Sequence, residues 1–192
     1  MPPNEPSPAP APEPDALGSH ALPDGRIVRF RHLRTDDEGL IIAAFQSASP
    51  ETVYHRFFSP LRSLSVADLR RYLALDPLRD ACVIGALEAE EGKRIVCGAR
   101  YVRSTAVDEA EIAVTVHDAF RRRGLGRAAL ERLLTIARER GVTRFTADVL
   151  ESNTAMLALL RRVAPHRQQR FSPGICHLAW DLRPPMGSDL YI

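Results

Sequence analysis

The chain has 192 residues, 45% of them hydrophobic, which suits one domain with a substantial core. Its 26 Lys and Arg against 24 Asp and Glu give a net charge of +2, which excludes a strong overall field for nucleic acid or an anionic membrane. Three widely spaced cysteines argue against a disulfide framework or zinc site, and no apolar run reaches the roughly 18 residues of a membrane span. We therefore expect a cytoplasmic protein with no metal, no nucleic-acid partner and no membrane partner; the oligomeric state stays open.

The N-terminal segment is rich in proline. Residues 1–24 hold eight of the 15 prolines, mixed with Ala, Glu, Asp and Ser, so the segment lacks the apolar content that would offset its ordering entropy. The composition predicts a disordered segment over 1–24, one domain over 25–183 and a C-terminal tail over 184–192.

The first part of the domain is predicted to be a strand followed by helices. Residues 26–31 alternate as a strand does, and residues 35–38 have the spacing of a capping box. Ser49 before Pro50, and Ser65 three residues before Asp68, mark two further helix starts.

From residue 81 the pattern changes to strands. The ranges 81–87, 95–102 and 109–116 predict an antiparallel meander. A long amphipathic helix follows, with Gly141 at its C-terminal cap. The remaining predicted elements are a strand over 144–149, a helix over 154–163, and strands over 168–171 and 175–182. This order predicts an α+β (mixed α/β) fold with one internal βαβ unit, in which helices flank a mixed, mostly antiparallel sheet.

An Arg- and Gly-rich loop precedes the long helix. Gly124 and Gly126 let a ligand approach the backbone closely, and NH groups at the start of a helix attract phosphate. Basic side chains oppose the dipole at a helix N-terminus, so a cluster of arginines at this position favours an anionic ligand such as the phosphates of coenzyme A. The arginines are Arg121, Arg122, Arg123 and Arg127.

A dinucleotide site is the rival interpretation of the same loop. Residues 124–129 also fit the G-x-G-x-x-A fingerprint, with Asp148 near the expected acidic position. A Rossmann domain would place its glycines directly after the first strand and continue with several βαβ repeats. In this chain residues 117–123 separate the predicted strand over 109–116 from Gly124, and only 66 residues follow Gly126. This context disfavours the dinucleotide interpretation.

The loop and three other stretches resemble a known family. Arg121-x-x-Gly124-x-Gly126 matches the (Q/R)-x-x-G-x-(G/A) motif of the GNAT acyltransferase superfamily. Residues 49–60, 110–114 and 153–157 resemble the domain of bacterial Pat-type protein lysine acetyltransferases. The resemblance covers about residues 26–182 and implies the GNAT fold, with the sheet splayed beside the loop. It also implies acetyl transfer from acetyl-CoA to an amine, with protein lysine as the favoured acceptor.

The resemblance also implies roles for individual residues. Glu111 matches the general base, and alternation along its strand puts it on the face opposite the apolar set, together with Glu109, a competing base. Asn153 matches an asparagine that contacts the cofactor, and by residue type it is equally a good N-cap. The remaining cofactor-binding positions implied are Val114, Thr115 and Val116, which would hold the acyl-pantetheine arm through backbone groups, and Arg121, Arg122, Arg123, Gly124, Leu125, Gly126 and Arg127 in the loop.

Two positions depart from the family pattern. Leu160 stands where many members have a tyrosine that protonates the leaving thiolate, and residues 163–165 replace a usual Gly-Phe pair. A thiol with a pKa near 8.5 is a tolerable leaving group without assistance, so catalysis is still expected. Two alternatives stay open: a GNAT enzyme that acts on a small-molecule amine, and a catalytically silent acyl-CoA sensor.

Overall fold

An eight-stranded mixed sheet forms the framework of the protein, in the order β1-β2-β3-β4-β5-β6-β8-β7. The computed structural model describes residues 15–89, 92–104, 109–165 and 167–182, and the strands and helices are those of these ranges. The strands are β1 (Ala16–Ala21), β2 (Ile27–His32), β3 (Asp80–Ala89), β4 (Gly92–Arg103), β5 (Glu109–Val116), β6 (Arg144–Leu150), β7 (Gln168–Ser172) and β8 (Ile175–Asp181). The helices are α1 (Glu38–Gln46), α2 (Pro50–Phe57), α3 (Val66–Leu73), α4 (Leu125–Glu139) and α5 (Thr154–Val163).

The predicted α+β architecture is confirmed. β5 and β6 pair in parallel around α4, which forms the expected βαβ unit, and the other neighbouring strands pair antiparallel. The side chains of Ser49 and Ser65 accept hydrogen bonds at the starts of α2 and α3, as predicted. Gly141 takes φ +72° just beyond α4, a left-handed conformation that favours glycine at this position.

The predicted disordered segment is wrong for residues 15–24. β1 pairs with β2, and Arg132 of α4 donates to the carbonyl oxygens of Leu17 (2.7 Å) and Ser19 (3.1 Å). Leu22 is buried in the main core. Backbone pairing and contacts from a distant helix order this segment, and composition does not reveal either of them. The rest of the predicted N-terminal segment (1–14) and the predicted tail (184–192) lie outside the described residues.

Two apolar clusters hold the helices against opposite faces of the sheet. The larger one packs α4 and α5 on one face, centred on residues that include Ala129, Leu130, Leu133, Phe145 and Leu160. The smaller one packs α1 and α3 on the other face, around Leu33, Leu69, Leu73, Cys82, Ile84 and Ile95. Cys82 and Cys97 are buried free thiols. Among the described helices, none is both long and apolar enough to cross a membrane.

The strands β5 and β6 separate beside the Arg- and Gly-rich loop. They pair only from Glu109 to Glu111 on β5 and from Arg144 to Thr146 on β6. β5 nevertheless continues to Val116 and β6 to Leu150. A gap therefore opens in the middle of the sheet, which agrees with the splayed sheet that the family resemblance implies.

The start of α1 differs from its prediction. The capping box predicted at residues 35–38 is absent, because α1 begins after Asp37 without a side-chain cap. The Asp37 carboxylate instead accepts from Arg31 Nη1 (2.7 Å) and Nη2 (2.6 Å) and from the backbone NH of Arg34 (2.8 Å). The side chains of Arg31 and Asp37 are only 7% and 5% exposed. The pair is a buried ion pair that joins β2 to α1.

Asp37→Asn is expected to lower the free energy of unfolding by about 3 kcal/mol, because removing one partner leaves the Arg31 charge buried without its carboxylate. Burial alone would raise the pKa of Asp37, but the hydrogen bonds from Arg31 and the Arg34 NH outweigh it and lower the pKa. The ion pair therefore contributes its full stability at pH values above the unfolded-state pKa of Asp37, about 3.9. This stability is lost as the pH falls through the lower pKa that Asp37 has in the folded protein.

Urea unfolding at pH 7 and at stepwise lower pH measures both effects. The exposed pair of Glu88 and Lys93 supplies the control, and Glu88→Gln should change stability by under about 0.5 kcal/mol. Equal stability of Asp37→Asn and the wild type at pH 7 would contradict the assignment.

Candidate active site

The loop before α4 presents a row of free backbone NH groups. Arg122 (φ 59°) and Gly124 (φ 82°) both take left-handed conformations, and the first helical hydrogen bond runs from the NH of Ala128 to the Gly124 carbonyl. Within the described chain, no acceptor contacts the backbone NH groups of residues 122–127, and α4 has no side-chain cap. Unpaired NH groups at a helix N-terminus bind anions through hydrogen bonds and the helix dipole. This geometry supports the predicted phosphate site.

Two glycines in the loop are required by close contacts. A Cβ atom on Gly126 would lie 3.3 Å from Leu159 Cδ2 and 3.3 Å from Val116 Cγ2. A Cβ on Gly124 would lie 3.1 Å from His20 Cε1, and the φ of that residue disfavours any side chain. His20 Nε2 also contacts the Arg123 carbonyl oxygen at 2.9 Å. His20 of β1 therefore packs against the loop and holds it in place.

The arginines of the loop behave differently from the sequence-based expectation. Arg121 Nη2 pairs with Asp118 Oδ1 at 3.0 Å, Arg123 Nη1 with Asp24 Oδ2 at 2.6 Å, and Arg127 Nε with Glu131 Oε1 at 2.7 Å. In the part of the chain that the structure describes, Arg122 is the one of the four without a carboxylate partner, and it is exposed. Intramolecular carboxylates thus balance three of these charges, and the anion site rests mainly on the backbone NH groups.

Asp118 joins this loop to α2. Its carboxylate accepts from the backbone NH of Ser49 (2.9 Å), the Ser49 hydroxyl (2.9 Å) and the Thr52 hydroxyl (2.9 Å), in addition to Arg121. Burial would raise the pKa of Asp118, but these hydrogen bonds outweigh it and lower the pKa. The sequence shows Ser49 as a helix cap, but its partner 69 residues away could not be inferred from spacing.

Glu111 lies where β5 and β6 begin to separate. It is exposed, its neighbours across the sheet are Val102 and Thr146, and no described residue forms a hydrogen bond or ion pair with its carboxylate. Glu109, the competing candidate, lies 3.2 Å from Arg144 Nε through its Oε2 atom. Of the two β5 carboxylates on this face, Glu111 is the one without a basic partner among the described residues.

A cleft of about 570 Å³ opens on the face of β5 that carries Glu111, and its lining on that strand begins two residues further on, at Ala113. It lies between α1, α2 and α3 on one side and β3, β4 and β5 on the other. Small residues form its floor and aromatic residues its walls, among them Gly98, Ala113, Thr115, Phe45, Phe57 and Tyr72. Arg100 is held at the cleft by Asp80 (2.9 Å) and lies over the Tyr72 ring.

The backbone of β5 beyond Glu111 has one free edge. β4 pairs with Val114, Thr115 and Val116 on one side, whereas β6 does not pair with them on the other. An extended ligand with amide groups can therefore add to that edge. The predicted role of these three residues in holding the pantetheine arm fits this geometry and stays a prediction.

Asn153 and Leu160 lie at the start and in the middle of α5, the helix that follows β6. The side-chain oxygen of Asn153 accepts from the backbone NH of Met156 at 3.1 Å, so the N-cap interpretation is confirmed. Leu160 is fully buried in the larger core cluster. No proton donor can come from that position.

One polar chain on this face was missed by sequence reasoning. Asp148 Oδ1 contacts His177 Nδ1 at 2.7 Å, and His177 Nε2 contacts the Ser172 hydroxyl at 2.8 Å. The three residues lie on β6, β8 and β7, on the same face as Glu111, because Glu111 pairs with Thr146 and Asp148 with His177. In the sequence, Asp148 stands out only as the acidic position of a dinucleotide fingerprint, because strand register rather than spacing brings the three side chains together.

The comparisons with known proteins agree with this fold. The model of the Acetyltransferase (GNAT) family matches residues 46–164. The GNAT domain of S. lividans PAT superposes with a TM-score of 0.74 at 30% identity, covering 85% of this chain and 96% of that one. The chain belongs to the GNAT acetyltransferase family and has its fold, as the sequence predicts.

Two curated relatives are similar in sequence. Acetyltransferase Pat of Mycolicibacterium smegmatis is 35% identical over 119 residues, which is 60% of this chain and 34% of that protein. An acetyltransferase of Pseudomonas aeruginosa is 26% identical over 136 residues, covering 71% of this chain and 73% of that protein. The chain thus matches about a third of the length of Pat and most of the Pseudomonas protein. The predicted acetyltransferase activity, with acetyl-CoA as donor, is that of the family.

Proposed function

We propose that the protein transfers the acetyl group of acetyl-CoA to the side-chain amine of a lysine in a protein substrate, with Glu111 as general base. The observation that carries the proposal is the unpaired Glu111 carboxylate at the point where β5 and β6 separate. The free edge of β5 begins just after Glu111, and an open cleft lies on the same face of that strand from Ala113 onward.

The chemistry requires a base because an acceptor lysine has a pKa of about 10.4 and is almost wholly protonated near neutrality. Glu111 accepts one proton from the lysine ammonium, directly or through one water, and passes it to solvent. The free amine then attacks the thioester carbonyl carbon and gives a second proton to Glu111. Backbone NH groups on the free edge of β5 stabilise the oxyanion that forms. Collapse of this intermediate breaks the C–S bond and releases the acetylated amine, so no covalent intermediate with the enzyme is needed.

The donor binds along the gap and the loop in this proposal. The free NH groups of residues 122–127 receive the pyrophosphate oxygens, and Gly124 and Gly126 permit the close approach. Arg122 supplies a charge for the outer phosphates, and Arg123 and Arg127 border the same surface. The backbone of Val114, Thr115 and Val116 receives the pantetheine amides, and Asn153 contacts the donor from the start of α5. Arg121 and Leu125 hold the loop through Asp118 and through burial in the core.

A protein acceptor is favoured by the open surface beside Glu111. Asp148 and Asp181 on this face are 50% and 71% exposed, so the region is accessible to a large partner. Carboxylates around the base also attract the positive charge of a lysine side chain. The similarity to Pat proteins supports the same acceptor class.

Thiol release from acetyl-CoA tests the acceptor class. A bacterial extract is separated by size into a protein fraction and a small-molecule fraction, and each is supplied to the enzyme as acceptor. We expect release that depends on enzyme and on the protein fraction. Release with only the small-molecule fraction would favour a small-molecule acetyltransferase, and acetyl-CoA binding without release in either would favour a sensor; both results contradict the proposal.

A further inference from the structure

The departing thiolate can leave without assistance, but it leaves faster when it is protonated, and the groups assigned so far supply no proton for it. In the proposed reaction Glu111 takes a proton from the amine and is not positioned to return it to sulfur in the same step. Leu160 is buried and has no proton to give. A proton donor on the other side of the gap would therefore assist departure of a thiol whose pKa is near 8.5.

His55 of α2 lies at the gap between β5 and β6. Its Nε2 atom is 3.3 Å from the Ser152 hydroxyl, which directly precedes Asn153 at the start of α5. α2 packs over β5, whereas Ser152 follows the C-terminal end of β6. The imidazole therefore spans from one separated strand to the other, and it is partly accessible to solvent.

Other proton donors near this region are less suited. His117 contacts Arg94 Nη2 through Nε2 (2.6 Å) and accepts from the Ala119 NH through Nδ1 (3.2 Å). Burial and the charge of Arg94 lower the pKa of His117, which disfavours its charged, proton-donating form. Burial raises the pKa of Tyr72, which makes its hydroxyl a weak acid. Imidazole is the side chain whose protonation changes near neutrality, which suits a donor that must be recharged at each turnover.

We propose that His55 is a catalytic acid that protonates the leaving thiolate of coenzyme A, an inference that rests on the proposed function. The lysine nitrogen bonds to the carbonyl carbon while Glu111 accepts its proton. The C–S bond then breaks with its electron pair going to sulfur, and sulfur takes a proton from the His55 ring. Coenzyme A leaves as the free thiol, and His55 regains a proton from solvent.

Donors with different leaving groups test this role. His55→Gln is compared with the wild type using acetyl-CoA and using S-acetyl p-nitrothiophenol, whose acidic thiol leaves without protonation. We expect kcat/KM with acetyl-CoA to fall about 10²-fold, at the lower end of what general acids contribute, and kcat/KM with the nitrothiophenyl donor to change less than about twofold. Retention of the acetyl-CoA-induced rise in Tm shows that the variant folds and binds.

Two neighbouring variants serve as controls. Tyr54→Phe removes the hydroxyl of an exposed α2 residue next to His55, and it should leave kcat/KM unchanged with both donors. Ser152→Ala removes the contact that orients His55 and should produce a smaller loss with acetyl-CoA alone. Equal losses with both donors, or no loss with either, would overturn the role of His55. Absence of acetyl transfer by the wild type to any amine would instead overturn the proposed function, and the role of His55 with it.

Discussion

Glu111→Gln is expected to lower kcat about 10²- to 10⁴-fold, the range that a general base contributes, while acetyl-CoA binding stays unchanged. The amide keeps the size of the side chain but cannot accept the proton of the amine. Because the carboxylate has no hydrogen-bond or ion-pair partner among the described residues, the substitution should also leave stability nearly unchanged. Steady-state thiol release and calorimetric titration of acetyl-CoA measure the two properties.

Glu109→Gln is the matched control because Glu109 lies two residues away on the same face of β5. Its carboxylate faces Arg144, so it should not serve as base, and the variant should keep at least half of wild-type kcat. Loss of kcat in Glu109→Gln with normal turnover in Glu111→Gln would exchange the roles of the two residues. Normal turnover in both variants would exclude a base on this face.

Gly126→Val is expected to weaken acetyl-CoA binding about 10²-fold. Its Cβ would already lie 3.3 Å from Val116 and Leu159, and the two methyl groups beyond it cannot fit unless the start of α4 moves. Such a movement takes backbone NH groups away from the pyrophosphate, and loss of one or two hydrogen bonds to a charged group costs about 1.5–3 kcal/mol each.

The Kd for acetyl-CoA, measured by calorimetric titration, tests this prediction. Gly39→Val is the control, since a Cβ on this α1 glycine would meet no heavy atom within 4 Å. Its Kd should equal that of the wild type. An unchanged Kd in Gly126→Val would mean that the loop does not grip the pyrophosphate as proposed.

Local signals in the sequence predict much of this fold. Apolar periodicity and caps such as Ser49, Ser65 and Gly141 define α2, α3 and α4, and alternation defines the strands, because each depends on residues a few positions apart. The predictions fail where contacts between residues far apart in the sequence determine the local structure. The Asp37 carboxylate pairs with the buried Arg31 instead of capping α1. Residues 16–21 form a strand because they pair with β2 and accept hydrogen bonds from Arg132.

The site shows the same division between local and distant signals. The left-handed glycine, the free NH groups and the outward position of Glu111 follow from short motifs. The partners of the loop arginines do not, since Asp24 pairs with Arg123 across 99 residues. Sequence also could not bring Asp148, His177 and Ser172 together, because register between β6, β7 and β8 decides which side chains meet.

Mass spectrometry of protein lysines tests the central claim most directly. A bacterial protein extract is incubated with ¹³C-labelled acetyl-CoA and either the wild type or Glu111→Gln, and heavy acetyl groups are mapped on tryptic peptides. We predict heavy acetyl-lysine at defined sites with the wild type and near-background labelling with the variant. Equal labelling by the two proteins, or no labelling above the enzyme-free background, would contradict the assignment of a lysine acetyltransferase with Glu111 as its base.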